Sequence, residues 1–409
     1  QRIRLILLRL IASALSPLIP DTTCQTLDAP RILVIRPDHL GDLLFTTPAL
    51  RFLRMALPGA HITCLVGPWA RSVVENNPHV DQVLTCAFPG FTRRPKPSFL
   101  HPYSLLWRYA QELRVVKFDL AIILRFDHWW GAFLACLARI PRRVGYDIAE
   151  VKPFLTEAVP YVSGRHEVEQ NLALVERVAG YRARDAGCQI PDTRDRKGDP
   201  RFSLEFLTTA EDEAFAGRYL AERGVEEGDF LVGIHPGAGA AVKLWRNEAW
   251  TQVADALAER YGARVILTGS AGERPLVQAI AGQALTRPIV TAGETSLGQL
   301  AAVMARCHLV MGVDSGPLHL AVAMGTPTIH LYGPVDWRAF GPWGDPTRHM
   351  VIRSDMDCIP CNRLDYDSEE LGEHPCVRSI TVDQVLKAVE SFLSRGLRGR
   401  GLDKNPQLR

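Results

Sequence analysis

The sequence predicts an α/β protein built from two doubly wound, Rossmann-like domains. Three observations carry that expectation: short apolar runs alternate with helical stretches, the alternation occurs in two blocks, and a polar segment rich in Pro and Gly separates them. At 409 residues the chain also exceeds what one hydrophobic core comfortably organises, so two domains of roughly 150 to 200 residues are expected. Hydrophobic residues make up 47% and charged residues 22%, ordinary for a globular protein, and a net charge of +2 gives no reason to expect a nucleic-acid partner.

The first segment, 1–30, mixes Arg2, Arg4 and Arg9 with an apolar stretch interrupted by Pro17 and Pro20. It is too short and too charged to span a bilayer, and it lacks the uninterrupted apolar centre of a signal peptide. A basic amphipathic helix on a membrane surface and a plain packing segment both remain open for it. The first domain is expected over 31–185. Its runs "RILVIR" (31–36), "HITCLV" (61–66), "DQVLTC" (81–86) and "DLAIILR" (119–125) are continuous in hydrophobicity and rich in β-branched residues, which suits strands of a parallel sheet buried on both faces. Helices are expected near 48–56, 100–116 and 128–139.

Residues 186–200 are charged and poor in large apolar side chains, and read as the linker. The second domain, 201–380, repeats the rhythm with "DFLVGIH" (229–235), "ARVILTG" (263–269), "CHLVMGV" (307–313) and "PTIHLYG" (327–333), alternating with helices near 247–260, 273–284 and 316–324. A last helix, 381–396, precedes a basic tail, 397–409, expected to be disordered. Cys64, Cys86, Cys136 and Cys307 stand singly in apolar runs, as in reduced cytoplasmic proteins.

Doubly wound domains bind ligands outside the carboxyl ends of their strands, so the loops there are the place to look for chemistry, in a cleft between the two domains. "IHPGAGAAVKLW" offers glycines, Gly237 among them, that let backbone N–H groups approach phosphate oxygens, then the cation Lys243; a flexible turn with a surface lysine is the plainer alternative. "TGSAGERP" holds Gly269 and Glu273, a carboxylate able to accept from ribose hydroxyls or simply to start a helix. "VDSGPLHLA" places Asp314, Ser315 and Gly316 at a helix N-terminus with Pro317 in its first turn and His319 behind; an N-cap is the alternative there. Neither glycine-rich loop matches the dinucleotide fingerprint or the P-loop, which disfavours a nicotinamide dehydrogenase or a P-loop NTPase.

Taken together, "ILVIRPDHLGDLLFTTPALR", "IPRRVGY", "HPGAGAAVKLWRNEAW", "LTGSAG", "AGETSLGQLAAVMARC" and "DSGPLHLAVAMGTPTIHLYGP" resemble glycosyltransferase family 9, the ADP-heptose:lipopolysaccharide heptosyltransferases, in the family's order. The resemblance implies a GT-B fold and inverting transfer of a heptose from ADP-heptose to a hydroxyl of a lipopolysaccharide core or another cell-surface glycan. No cofactor and no metal are implied; the partners are the nucleotide-sugar donor and a lipid-linked or glycan acceptor, with peripheral contact at the cytoplasmic face of the inner membrane. On matching positions, Asp42 is expected to be the catalytic base, beside Gly41, with a helix cap as the alternative. Lys243 would contact the donor diphosphate, Glu273 the ribose, and Asp314, Ser315 and Gly316 the sugar and phosphates, with His319, Gly237 and Gly269 also at the donor. Arg142 and Arg143, with Arg93, Arg94 and Lys96, carry positive charge suited to an anionic acceptor or simply to solvated surface.

Other readings compete. A transferase using another nucleotide sugar stands beside this one, as does a non-catalytic sugar-nucleotide-binding protein, against which the presence of both Asp42 and Lys243 argues. "DMD" (355–357) and "DYD" (365–367) look like the D-x-D metal site of another glycosyltransferase class, but such triplets are common by chance. Cys358, Cys361, His374 and Cys376 supply three thiols and an imidazole that could bind Zn²⁺, against a redox-labile pair or an ordinary cysteine-bearing loop.

Overall fold

A computed structural model describes residues 5, 8–10, 29–92, 98, 100–185, 196–367 and 369–396. Residues 186–195, the tail 397–409, Arg93, Arg94, Lys96 and most of the first 28 residues lie outside the described residues. The chain divides into two compact units, residues 1–196 with 200–202 and residues 197–199 with 203–409.

The first unit holds a six-stranded parallel sheet: β1 (Arg31–Arg36), β2 (His61–Val66), β3 (Gln82–Thr85), β4 (Leu120–Ile123), β5 (Arg142–Tyr146) and β6 (Glu157–Val159), ordered β3-β2-β1-β4-β5-β6. In β1 the residues from Ile32 to Arg36 are all buried, as the unbroken apolar run requires of a strand covered on both faces. Helices Thr47–Ala56, His101–Val116, Trp129–Leu137 and Glu167–Asp185 cover those faces. One side packs Leu33, Ile35 and Ile123 against Leu106, Leu113, Trp130 and Phe154, and Leu8 of the N-terminal segment joins this core.

The second unit repeats the topology with β7 (Leu231–His235), β8 (Arg264–Leu267), β9 (Ile289–Val290), β10 (Leu309–Val313), β11 (Thr328–Tyr332) and β12 (His349–Arg353), ordered β12-β11-β10-β7-β8-β9. Read from its other edge, that is the same 3-2-1-4-5-6 order as the first sheet, the doubly wound arrangement of dinucleotide-binding folds. The last helix, Val382–Gly396, belongs to this unit: Val385, Val389 and Leu393 bury in its core with Trp250, Val253 and Leu257 of helix Asn247–Tyr261. Gly312 on β10 is needed for close approach, since a Cβ there would lie 2.2 Å from the carbonyl oxygen of His235 on β7.

The eight expected strands are all present. The structure adds β5, β6, β9 and β12, together with helices Glu167–Asp185, Ala210–Ala221 and Leu297–Arg306. Among the described residues no helix is long and apolar enough to cross a membrane.

Candidate functional site

In each sheet the strand order reverses direction beside the first strand, between β1 and β4 and between β7 and β10. The crevice outside the carboxyl ends of such strands is where an open α/β sheet accepts ligands. Gly41 and Asp42 lie at the first of these points, and Gly237, Lys243, Asp314, Ser315 and His319 at the second.

In the first unit, β1 ends at Arg36 and the chain turns through Pro37, Asp38 and His39 into a short helix, Leu40–Leu44, with Gly41 and Asp42 in its first turn. That helix carries no side-chain capping hydrogen bond at His39, and Asp42 lies past the cap position, so capping does not explain the carboxylate. What surrounds it is a charge network centred on the buried Arg36. Its Nε stands 2.6 Å from Asp38 Oδ2, and its Nη1 donates to Glu167 Oε1 at 2.8 Å, Asn171 Oδ1 at 3.1 Å and the Leu124 carbonyl at 3.3 Å. Its Nη2 stops 3.8 Å from Asp42 Oδ1, beyond hydrogen-bond reach. Arg125, just past β4, pairs with the other oxygen of Asp38 and with Asp127 at 2.5 Å.

Four carboxylates thus share two guanidinium groups, and they are not treated alike. Asp38 is buried, which alone would raise its pKa, yet Arg36 and Arg125 on either side hold it below the ordinary range. Asp42, with a third of its side-chain surface still reaching solvent, is pushed up to about 7 by burial first, then by the charges of Asp38 and Glu167, with Arg36 too distant to compensate. His128, buried against Phe88, Phe91 and Trp130, is driven down to about 3 by burial and stands neutral. The result is one carboxylate, partly open to solvent, whose proton affinity matches neutral pH.

In the second unit, Lys243 ends a 3₁₀ turn, Ala241–Lys243, and its Nζ lies 2.7 Å from Asp314 Oδ2, at the exit of β10. Burial alone would raise the Asp314 pKa, but the Lys243 ammonium and then His319, whose Nε2 is 3.8 Å from Asp314 Oδ1, hold it well below the usual carboxylate range. Ser315 occupies the N-cap position of helix Gly316–Ala323 yet makes no side-chain cap bond; its Oγ is buried without a protein partner beside the helix amides. Such a helix start, with a lysine at hand, suits anionic oxygens.

Glu273 completes this side. One of its oxygens, Oε2, accepts from the Ser270 N–H and hydroxyl, each at 2.7 Å, so the helix-start role is real. The other, Oε1, lies against the backbone of Gly237, where a Cβ would come within 2.0 Å, and Gly269 packs beneath the Glu273 stem. The loops after β7, β8 and β10 therefore bring Gly237, Gly269 and Glu273 together as one group, and Lys243, Asp314 and His319 as another.

Arg142 and Arg143 fit an acceptor role poorly. Arg142 pairs with Glu157 on the neighbouring strand β6 at 2.5 Å. Arg143 is buried and spends its guanidinium on the carbonyls of Phe154 at 2.7 Å and Ile140 at 2.5 Å, a structural brace within the sheet. Cys358, Cys361, His374 and Cys376 form no metal-holding group, nor do the aspartates of 355–357 and 365–367: among the described residues no three His, Cys, Asp or Glu side chains are so arranged. Cys361 Sγ faces the Tyr366 hydroxyl at 3.8 Å, and the His374 ring lies over Tyr366. Sequence reasoning missed Arg36, Asp38, Arg125, Glu167 and Asn171; the Arg36-Pro37-Asp38 spacing at the end of β1 is a signal for the first two alone.

Comparison with known proteins agrees with this geometry. A sequence profile of glycosyltransferase family 9 (heptosyltransferase) matches residues 106–370. The chain is 30% identical over 355 residues to lipopolysaccharide heptosyltransferase 3 of Escherichia coli strain K12, covering 81% of this chain and 95% of that protein. It is 26% identical to lipopolysaccharide heptosyltransferase 1 of Pseudomonas aeruginosa, covering 81% and 86%. Among solved structures, a family 9 glycosyltransferase from Veillonella parvula superimposes with a TM-score of 0.72 at 28% identity, over 90% of this chain and 98% of that one. The Escherichia coli ADP-heptose heptosyltransferase II shares the fold, with a TM-score of 0.68 at 22% identity over 89% and 99%. Two Rossmann-like units of the GT-B kind, with an isolated carboxylate in one and a lysine and helix start in the other, thus accompany a match over most of the chain, and the protein belongs to glycosyltransferase family 9, the heptosyltransferases.

Proposed function

We propose that the protein transfers a heptose from ADP-heptose to a hydroxyl of a lipopolysaccharide core or another cell-surface glycan, with inversion at the anomeric carbon and without a metal. The observation that carries the mechanism is Asp42: partly open to solvent, 3.8 Å from the Arg36 guanidinium rather than hydrogen-bonded to it, and with its proton affinity pushed up to about 7 by burial. Its carboxylate takes the proton of the acceptor hydroxyl as that oxygen attacks the anomeric carbon from the side opposite the diphosphate. The bond from that carbon to the phosphate oxygen breaks, and ADP leaves with the electron pair. Lys243 and the first amides of helix Gly316–Ala323 neutralise the leaving diphosphate, the buried Ser315 hydroxyl finds a partner there, and Glu273 meets the ribose.

A cytoplasmic site with peripheral contact at the inner membrane follows from a lipid-linked acceptor. It is supported by the cations of the first segment and by Leu100, at the N-cap of helix His101–Val116, with Tyr103 and Trp107 within that helix, each at least half exposed, as interfacial anchors would be. The testing experiment incubates the protein with a panel of nucleotide sugars, with and without heptose-deficient lipopolysaccharide. ADP release only with ADP-heptose plus acceptor is expected. Turnover of another sugar nucleotide in its place would overturn the donor assignment, and no turnover of any would favour a binding protein.

A further inference from the structure

The network around Arg36 contains a residue whose burial capping does not explain. Glu167 opens the helix Glu167–Asp185, where an exposed acid would serve the helix dipole as well. Instead it is buried with Arg36, and its helix is pinned in place: Asn171 Nδ2 donates to the Phe45 carbonyl at 3.1 Å, and the Tyr146 hydroxyl donates to the Gln170 carbonyl. We propose that Glu167 is a positioning residue for the base: by holding Arg36 Nη1 it keeps the guanidinium from closing on Asp42, and so leaves that carboxylate able to accept a proton. This deepens the proposed role of Asp42 and rests on it.

The geometry argues the point. Arg36 is gripped on Nη1 by Glu167, Asn171 and Leu124 and faced on Nε by Asp38, so the plane of the guanidinium is fixed with Nη2 at 3.8 Å from Asp42. A rotation of the side chain by about an ångström at its tip would give Asp42 a charge-assisted hydrogen bond, the kind that lowers a carboxylate's proton affinity. Glu167 competes for that guanidinium and adds a negative charge nearby. The other groups facing the site do not replace it. Asp38 is itself shared between Arg36 and Arg125, Arg125 is occupied by Asp38 and Asp127, and His128 is neutral. His39 lies tilted against Trp69, and Tyr146 and Tyr161 feel the charges of both Glu167 and Arg36, with Arg165 near Tyr146.

The test is Glu167→Gln, which keeps shape and an oxygen for Arg36 but removes the charge, with Glu167→Asp as the variant that keeps it. Two quantities are read on the full chain: the titration of Asp42 by ¹³Cγ NMR, assigned with Asp42→Asn, and the pH dependence of kcat. In Glu167→Gln the Asp42 titration should move down by about one pH unit, a tenfold loss of proton affinity, and the acid limb of the rate should move with it. Glu167→Asp should stay nearer the wild type in both. An unmoved Asp42 titration in a folded Glu167→Gln protein, whatever the activity, overturns the assignment. A titration that moves while the rate limb stays supports Glu167 and instead overturns Asp42 as the base.

Discussion

Asp42→Asn should make the protein more stable and nearly inactive, and the stability gain should depend on pH in a defined way. In the folded protein this carboxyl binds its proton more tightly than in the unfolded chain, about 7 against 3.8. Folding is therefore unaffected by it below the lower value and progressively disfavoured as pH rises through the window between the two, after which the cost is constant. Three pH units at 1.36 kcal/mol each would be about 4 kcal/mol; since a third of the side chain reaches water, about half of that, roughly 2 kcal/mol, is a fair expectation above pH 7. The asparagine has no charge to hold and gives up only a 3.8 Å contact with Arg36. Thermal unfolding followed at pH 4, 5.5, 7 and 8 should show no appreciable gain at pH 4, about 1 kcal/mol at pH 5.5, and a plateau above 7 worth roughly 4 to 8 °C in the transition of the first unit. Turnover should fall by about 10²- to 10⁴-fold, with ADP-heptose affinity retained because the proposed donor groups lie on the second unit. A variant no more stable than the wild type at pH 8, or a difference that does not change with pH, would refute the view that Asp42 is held against its own charge.

Other predictions follow from the second unit and the surface. Lys243→Ala should raise the donor KM or lower kcat by about 10-fold or more, since a charge-assisted contact worth roughly 1.5 to 3 kcal/mol is removed, and unchanged values would leave Lys243 to Asp314 alone. Gly237→Ala should displace the Glu273 carboxylate, which now lies where the methyl would go, and weaken ADP binding in calorimetry while Asp42-dependent steps keep their pH profile. Co-sedimentation with anionic vesicles should decline as salt rises and decline further in Tyr103→Ser/Trp107→Ser, because exposed charges are screened within about 8 to 10 Å at moderate ionic strength; salt-independent partitioning would argue against a peripheral membrane role.

Much of the fold was legible because parallel strands covered on both faces leave an unbroken apolar run. "RILVIR" and "HITCLV" coincide with β1 and β2 residue for residue. β5 escaped because its first two residues are arginines, and only the structure reveals that Arg143 is satisfied by backbone carbonyls inside the sheet. β6 and β9 are two or three residues long and carry too little pattern to read. Helices Ala210–Ala221 and Leu297–Arg306 did leave a signal, the capping boxes Thr209 with Asp212 and Ser296 with Gln299. In the candidate site the loop residues were readable from glycines and charges near strand ends. The environment of Asp42 was not, because Glu167 and Asn171 reach Arg36 from 131 and 135 residues away in sequence, a proximity created only by the sheet.

The repeated strand order has a consequence for how such an enzyme can change. Asp42 and its network are built entirely from residues of the first unit, while Lys243, Glu273, Asp314 and Ser315 are built entirely from the second, down to a terminal helix that packs in the second core. Each half of the proposed chemistry therefore rests on its own sheet. On the proposed roles, a hybrid joined near residue 200, taking its first unit from another member of the family, would exchange the recipient of the sugar while keeping the donor.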